Sequence, residues 1–235
     1  MSELLRISGL WGGYKEGVDI LRGIDMTVNE GEAVGIIGLN GSGKSTFGKA
    51  IMNMIPIRRG EIVFNGEDIT GLSTHELARK GISIMQQGGQ VFQNLSVWEN
   101  LEMAFIAGEN EVYEVLRENI PLLQEPQRKL QRLMADRLSG GQKHQLALAM
   151  TLATNPKLVI LDEPSAGLSP KAVEDMYGIL HDVRKKLNVT ILLIEQNFHQ
   201  SFSFCDYCIL MQQGTVSDVL YNYQIETLHE KIFKH

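Results

Sequence analysis

A glycine-rich segment of the chain has the composition and spacing of a phosphate-binding loop. The segment GLNGSGKST, residues 38–46, follows a short apolar run typical of a buried strand and precedes a helical pattern. Glycines let the backbone wrap phosphates closely, N–H groups at the helix start attract anions, and Lys44 can neutralise terminal phosphates. Ser45 is the expected magnesium ligand. The predicted nucleotide-binding residues of the loop are Gly38, Asn40, Gly41, Ser42, Gly43, Lys44, Ser45 and Thr46.

Two acidic residues, Asp162 and Glu163, follow an apolar run later in the chain. In the segment LVILDEP, the apolar residues indicate a buried strand and put Asp162 at its C-terminal end, where open α/β sheets bind ligands. Asp162 can hold a magnesium ion, and Glu163 can act as a base on water. The alternative for Glu163 is a solvated loop carboxylate, because an acidic pair at a strand end means little by itself. Its position beside a predicted metal ligand favours the catalytic role.

A second glycine-containing turn, LSGGQ at residues 138–142, also leads into a helical pattern. Ser139 and Gln142 have the spacing of a capping box, which is a common way for a helix to begin. Capping alone does not require Gly140 and Gly141, since a glycine in a helix interior costs about 1 kcal/mol relative to alanine. Adjacent glycines are favourable where the backbone must approach a ligand closely. The turn is therefore predicted to hold a second anion.

The composition limits the partners of the chain. Its 235 residues include 22 Lys and Arg against 28 Asp and Glu, a formal charge of -6 that mildly repels nucleic acid and anionic lipid. We therefore predict no nucleic-acid partner, and only local contacts with phosphate or membrane. No apolar run reaches the ~18 residues of a membrane-spanning helix, and the N-terminus does not resemble a secretory signal. The chain is expected to be soluble by itself.

The two cysteines, Cys205 and Cys208, form a C-x-x-C sequence at a predicted helix end. This spacing could belong to a redox pair or to half of a zinc site. No second pair and no nearby histidine cluster completes a metal site, so we predict structural thiols.

The first part of the chain and the segment after the phosphate loop have β character. Alternating residues and turns predict an antiparallel β region over about 1–30 and 57–80, including a hairpin with an Asn65-Gly66 turn. Between these ranges, the helix after the phosphate loop is predicted to continue to Pro56. Its predicted apolar face consists of Phe47, Ala50, Ile51, Met54 and Ile55.

The rest of the chain has a helical segment followed by alternating strands and helices. Residues from about 95 to 137 predict an inserted helical subdomain, which begins with a capping box at Ser96 and Glu99. A helix from about 170 to 187 and the strand VTILLIE then indicate an α/β core. The fold class predicted is α/β, a P-loop NTPase with a mostly parallel core sheet. All 235 residues are predicted to form a single nucleotide-binding domain.

The order of these motifs resembles that of one family over nearly the whole chain. GLNGSGKST, a glutamine loop, LSGGQ, LVILDEP and LLIEQN follow each other as in the nucleotide-binding subunit of an ABC transporter. The resemblance implies an ATPase that uses ATP and Mg²⁺, lies at the cytoplasmic face of the cell membrane and binds polytopic permease subunits. It also implies a head-to-tail dimer with a second ATP-binding subunit, either a sister chain or a second copy. In that dimer the signature turn of one subunit, Ser139 to Gln142, covers the nucleotide held by the other.

The resemblance assigns roles to two further kinds of residue. Tyr14, in GGYKEG, resembles the aromatic residue that stacks on adenine, although an ordinary strand or turn tyrosine is the alternative. In ISIMQQGG, either Gln86 or Gln87 could contact magnesium and the attacking water, and the alignment with the family's loop favours Gln87. Lys143 and His144, beyond the signature turn, are predicted to be helix-surface residues.

The sequence departs from the general family pattern at two positions. Ser169 stands where many members have aspartate, and Gln196 stands at the switch position, which is commonly histidine. Glutamine can donate a hydrogen bond to a γ-phosphate, but it cannot carry charge or shuttle a proton. The segments DEPSAGLSP and IEQN resemble the ATP-binding subunits of branched-chain amino-acid and urea importers. Transport of a branched-chain amino acid or a related small polar solute is therefore predicted.

Two other classes of protein are alternatives. A soluble ABC ATPase, such as one that assembles iron–sulphur clusters, would have the same motifs but no membrane partner. A P-loop kinase would leave the signature turn without a role. The difference between the first two is the kind of partner that the chain binds.

Overall fold

Two β-sheets organise the protein, whose computed structural model describes residues 2–105 and 110–221. The strands of the described part are β1 (Glu3–Gly12), β2 (Leu21–Asn29), β3 (Ala33–Ile37), β4 (Ile57–Phe64), β5 (Glu67–Asp68), β6 (Ile82–Met85), β7 (Leu158–Asp162), β8 (Thr190–Ile194), β9 (Tyr207–Gln212) and β10 (Thr215–Leu220). The helices are α1 (Lys44–Ile51), α2 (Thr74–Arg79), α3 (Val97–Ala104), α4 (Asn110–Asn119), α5 (Gln127–Leu130), α6 (Gly140–Leu152), α7 (Pro170–Leu187) and α8 (Phe198–Phe204). Two 3₁₀ turns lie at Pro121–Gln124 and Ala135–Arg137.

The first sheet is antiparallel and has the strand order β2-β1-β4-β5. In the β4–β5 hairpin, Phe64 pairs with Glu67. The two turn residues, Asn65 and Gly66, have φ angles of 51° and 78°, as a tight type I′ turn requires. The predicted Asn-Gly hairpin is therefore confirmed.

The second sheet has the strand order β10-β9-β3-β8-β7-β6. Its strands run parallel except for β10, which pairs antiparallel with β9 at the edge. Every residue of β3, β7 and β8 is buried, which explains why these strands are continuous apolar runs rather than alternating patterns. The mostly parallel sheet of the predicted P-loop fold is confirmed. Because β3, β7 and β8 are parallel neighbours, their carboxyl ends meet at one edge of the sheet.

Between β6 and β7, the described residues form mainly helices. Helix α3 begins at a capping box in which Ser96 and Glu99 each bond the backbone of the other. It packs on α6, and α4 packs on α7. Helix α7 spans Pro170–Leu187, as predicted. We retain as a proposal the division into an antiparallel region, a helical subdomain and a P-loop core.

Helix α1 is shorter than the sequence pattern predicts. It ends at Ile51, where Asn53 turns into the left-handed region with φ 50°. The N–H of Met54 donates to the carbonyl of Lys49, the bond that closes a Schellman motif. Met54 is consequently 39% exposed, and its predicted position on the buried helical face is wrong. The Asn53 amide donates to two backbone carbonyls after β5, a long-range contact that fixes this end.

The two cysteines are buried free thiols, one after α8 and one in β9. Within residues 2–105 and 110–221, no group of three or more His, Cys, Asp or Glu side chains could hold a metal ion. The structural role of Cys205 and Cys208 stays a prediction, which the burial of both thiols supports. None of the helices in the described ranges is long and apolar enough to cross a membrane.

Candidate nucleotide-binding site

The phosphate loop connects the buried strand β3 to the start of helix α1. Gly41 and Gly43 have φ angles of 79° and 102°, which side chains rarely allow. A Cβ added at Gly41 would meet no atom within 4 Å, so the backbone there faces open space. Gly43 is the N-cap residue of α1, and no side chain caps the helix. Its first N–H groups are therefore available to an anion.

Two buried polar groups of the loop fit a bound phosphate. The Ser42 hydroxyl is buried and has no hydrogen-bond partner among the described residues. Lys44 is 4% exposed, and its Nζ donates to the carbonyls of Gly38 (2.9 Å) and Leu39 (3.1 Å). Burial lowers the pKa of Lys44, while nearby carboxylates act in the opposite direction. A dehydrated ammonium and an orphaned hydroxyl beside a helix N-terminus favour binding of an anion.

A serine and an aspartate provide oxygen atoms for a magnesium ion. The Ser45 hydroxyl donates to Asp162 Oδ1 at 2.8 Å. Asp162 is buried at the end of β7, and burial raises the pKa of its carboxyl, while the bond from Ser45 lowers it. Hydroxyl and carboxylate oxygens are ligands that Mg²⁺ prefers. The oxygen atoms of Ser45 and Asp162 therefore fit a magnesium ion. The Asp162 carboxyl would bind the ion best in its ionised form.

The predicted base lies beside one of the two candidate glutamines. Gln87 Nε2 donates to Glu163 Oε2 at 2.7 Å, although the two residues are far apart in the sequence. Gln86 instead lines a groove on the other side of this segment. Glu163 has a left-handed backbone with φ 47°, which is uncommon for a residue other than glycine. The geometry thus brings Gln87 and Glu163 together beside Ser45 and Asp162.

The strand after α7 ends with two polar residues at the same sheet edge. Gln196 is exposed and directly follows Glu195. Glu195 is buried at the end of β8, a carboxylate that our reading of the sequence missed. An acidic residue directly after an apolar strand is the pattern that identified Asp162, so the same signal was present in TILLIE.

The signature turn is preorganised by its own capping box. Gln142 N–H donates to Ser139 Oγ at 3.3 Å, and Ser139 N–H donates to Gln142 Oε1 at 3.0 Å. A Cβ added at Gly140 would meet nothing within 4 Å, and one at Gly141 would meet only Ala172 Cβ at 3.6 Å. Internal packing therefore does not explain either glycine. Helix α6, which begins at this turn, packs on β6. Strand β6 lies three strand positions from β3, the strand before the phosphate loop, so the two strands are roughly 14 Å apart.

His144 is buried rather than exposed on the surface, so its predicted surface position is wrong. Its Nδ1 lies 3.0 Å from the Gly140 carbonyl oxygen, and its ring lines a small cavity between α6 and α7. The helical period that buries Leu148 one turn later also turns His144 inward. Lys143 is half-buried.

Tyr14 lies in the connection between β1 and β2 and is 53% exposed. The end of this connection reaches the phosphate loop, because Ile20 lies close to the Cβ position of Gly43. The ring is thus accessible to a base.

We predict that Tyr14→Ala weakens ATP binding by about 1–2 kcal/mol, or about 5- to 30-fold in Kd, because a stacking surface is lost. Titration calorimetry of the full chain with ATP would measure this change. Tyr14→Phe, which keeps the π-face, is the control and should bind as the wild type does. Equal affinities for all three proteins would show that Tyr14 is an ordinary turn residue.

A glycine loop, a buried lysine, a serine–aspartate pair and a glutamate at one edge of a mostly parallel sheet define a P-loop nucleoside triphosphatase. The sequence model described as ABC transporter matches residues 21–166, which is more than half of the chain. The chain belongs to the ABC transporter family.

Individual relatives cover most of the chain. It is 35% identical over 215 residues to the probable branched-chain amino acid transport ATP-binding protein LivF of Archaeoglobus fulgidus, covering 91% of this chain and 90% of that protein. It is 33% identical to the lipopolysaccharide export system ATP-binding protein LptB of Escherichia coli, covering 86% and 83%. Among solved structures, the ADP conformation of the ATP-binding cassette MJ1267 superposes with a TM-score of 0.85 at 27% identity, covering 100% and 98%. The protein is an ATPase subunit of a transporter that uses ATP and Mg²⁺.

Proposed function

We propose that the chain powers an importer of branched-chain amino acids or a related small polar solute. ATP hydrolysis at this site is supported by one observation: the Ser45–Asp162 and Gln87–Glu163 hydrogen bonds lie together near Lys44. The importer assignment is supported by the likeness to LivF and by the segments DEPSAGLSP and IEQN. Lipopolysaccharide export is the second candidate, because LptB is similar to the chain over nearly the same length.

The phosphate loop binds the nucleotide in this proposal. Backbone N–H groups at the start of α1 and the hydroxyl of Ser42 donate to phosphate oxygens, and Lys44 neutralises them. The remaining loop residues, Gly38, Asn40, Gly41, Gly43 and Thr46, bring the backbone close to the phosphates. Ser45, Asp162 and Gln87 would hold Mg²⁺, which when bound would neutralise phosphate charge.

Glu163 activates the attacking water. Gln87 occupies one oxygen of the Glu163 carboxylate, so the other oxygen can accept a proton from water as it attacks the γ-phosphate in line. Gln196, at the end of the neighbouring strand, donates its amide to the γ-phosphate. Because glutamine stays neutral, this contact is independent of pH, unlike that of a histidine.

A second ATP-binding subunit completes the site in this proposal. Ser139, Gly140, Gly141 and Gln142 form a turn with its own capping box, and a Cβ added at either glycine would clash with none of the described residues. We propose that the turn contacts the γ-phosphate held by the other subunit of a head-to-tail dimer. A sister chain and a second copy of this chain would both fit.

A groove beside the glutamine segment is our proposed contact with membrane-embedded permease subunits. Its volume is about 360 Å³. Fourteen described residues line it and none of them carries a charge; they are Met52, Ala78, Ile82, Ser83, Ile84, Met85, Gln86, Gln90, Phe92, Met103, Ala104, Ala147, Met150 and Thr151. Phe92 and Met103 are each 51% exposed there. Gln86 lines the groove and its neighbour Gln87 reaches Glu163, so a partner in the groove would be coupled to the site through one peptide bond. This arrangement would hold the chain peripherally at the cytoplasmic face of the membrane.

Co-purification tests the transport function and the groove together. The tagged full chain should be recovered from detergent-solubilised membranes of its own organism with polytopic proteins, and Phe92→Ser with Met103→Ser should reduce that recovery about 10-fold or more because an apolar contact is lost. Val219→Ser, which changes an exposed apolar residue of β10, is the matched control. Recovery only with soluble proteins would contradict the transport function and favour a soluble ABC ATPase. Transport assays with the recovered complex then distinguish amino-acid import from lipopolysaccharide export.

A further inference from the structure

The strongest feature outside the nucleotide-contacting residues is the buried carboxylate of Glu195. It follows the last residue of β8 and is 2% exposed. A buried charge is costly unless hydrogen bonds satisfy it. The Glu195 carboxylate is therefore expected to accept hydrogen bonds from specific groups of the protein.

The carboxylate joins three separate pieces of the protein. Glu195 Oε1 accepts from the backbone N–H of Ser165 at 3.1 Å and from the hydroxyl of Tyr177 at 3.3 Å. Glu195 Oε2 accepts from the backbone N–H of Gln196 at 3.2 Å. Ser165 belongs to the turn after β7, Tyr177 to α7, and Gln196 to the segment after β8. Burial and the neighbouring carboxylate raise the pKa of Tyr177, so its hydroxyl stays protonated and donates.

The turn that Glu195 binds is the one that carries the predicted base. Glu163 starts this turn with a left-handed backbone, a conformation that persists in a residue other than glycine only when its surroundings hold it. Its N–H donates to the Ile194 carbonyl at 2.8 Å, and its own carbonyl accepts from Ala166 N–H at 3.1 Å. The bond from Ser165 to Glu195 is a second attachment of the same turn to the end of β8. Two attachments on successive residues, Ile194 at the end of β8 and Glu195 directly after it, fix the direction in which Glu163 points.

We infer that Glu195 is a positioning residue for ATP hydrolysis, which holds the Glu163 turn and the Gln196 segment in one fixed relation. This inference rests on the proposed roles of Glu163 and Gln196. The hydrogen bonds that Glu195 makes with the described residues all go to groups outside the phosphate loop. Its carboxylate acts through the backbone of Ser165 on one side and of Gln196 on the other, so the base and the switch residue move as a unit.

Substitution of Glu195 should lower the rate of hydrolysis and leave ATP binding intact. We expect Glu195→Ala to reduce kcat about 10- to 100-fold, because a small displacement of a catalytic group is costly, with KM for ATP within about 2-fold since the phosphate loop is untouched. In Glu195→Gln the single amide oxygen can accept from Ser165 and Tyr177 or from Gln196, but not from both sides. We expect kcat of this variant to fall at least about 3-fold, less than in Glu195→Ala. Tyr207→Phe, which removes a phenol donor that binds Thr27 and Glu32 and not Glu195, is the matched control and should keep kcat within about 2-fold.

A double-mutant cycle separates positioning of Glu163 from a general effect on folding. In a Glu163→Gln background, Glu195→Ala should lower single-turnover hydrolysis by less than about 3-fold, because the residue it positions is already inactive. A full 10-fold loss in that background, or an unchanged kcat in both single Glu195 variants, would overturn the inference. Thermal unfolding of each variant identifies loss of structure, and if Glu195→Ala does not fold, Glu195→Gln decides the question by the same cycle. Near-normal hydrolysis by Glu163→Gln alone would contradict the proposed base and not the contacts of Glu195, so the two failures are distinguishable.

Discussion

Glu163→Gln is expected to bind ATP with unchanged affinity and to hydrolyse it about 100- to 1,000-fold more slowly than the wild type. The amide preserves the volume of the side chain and an oxygen that can accept the hydrogen bond from Gln87. It cannot accept a proton from water, so only the chemical step is lost. Phosphate release under saturating ATP and Mg²⁺ measures the rate, and calorimetry measures the affinity.

The same variant should also change the state of association. With hydrolysis blocked, ATP bound between two subunits is not consumed, so the nucleotide-held dimer should accumulate. Light scattering with and without ATP would detect it. The control is Glu174→Gln, the same substitution on the exposed side of α7, which should hydrolyse ATP normally. Near-normal hydrolysis by Glu163→Gln would remove Glu163 from its role as base.

Gly141→Leu is the second substitution with a large expected effect. ATP binding to the variant should be unchanged, because the phosphate loop is formed by a different part of the chain. Hydrolysis should fall about 100-fold or more, because a side chain at the signature turn keeps the backbone donors of one subunit away from the phosphate of the other. Assays of the variant together with its partner subunit measure both quantities.

The packing around Gly141 makes this test specific. A Cβ at this position meets only Ala172 Cβ at 3.6 Å, an ordinary contact, so the fold should tolerate the substitution. Glycine in a helix costs about 1 kcal/mol, and the variant should be at least as stable as the wild type. Gly178→Leu is the matched control, since a Cβ there also meets open space within α7. If both variants hydrolysed ATP equally well, the shared-site proposal would be contradicted.

Features that depend on neighbouring residues could be predicted from the sequence. The phosphate loop of residues 38–46, the acid at the end of β7, the Asn65-Gly66 hairpin and the capping box at Ser139 all have local causes. Each is determined by the conformation of a few consecutive residues, such as a left-handed glycine or a capping hydroxyl. The mostly parallel sheet followed from the same kind of information, because buried parallel strands are short continuous apolar runs.

Features that join distant segments could not be predicted in this way. The end of α1 depends on Asn53, whose amide binds carbonyls beyond the next hairpin. The inward position of His144 depends on α7 packing beside α6. The contact that ends α1 leaves no periodic signal within the helix, so the helical pattern alone extended α1 too far. The pattern of α6 alone does not show that a second helix packs on the face that carries His144.

The sequence by itself predicted a phosphate-binding loop before α1 and an acidic pair at the end of β7, since both are strand-end motifs with fixed spacing. Only the tertiary structure decided that Gln87, and not Gln86, contacts Glu163, and that Glu195 binds the turn on which Glu163 lies. The physical reason is that parallel strands bring their carboxyl ends to one edge regardless of the length of chain between them. Side chains from distant parts of the sequence then meet at that edge, and their contacts follow from the order of strands in the sheet.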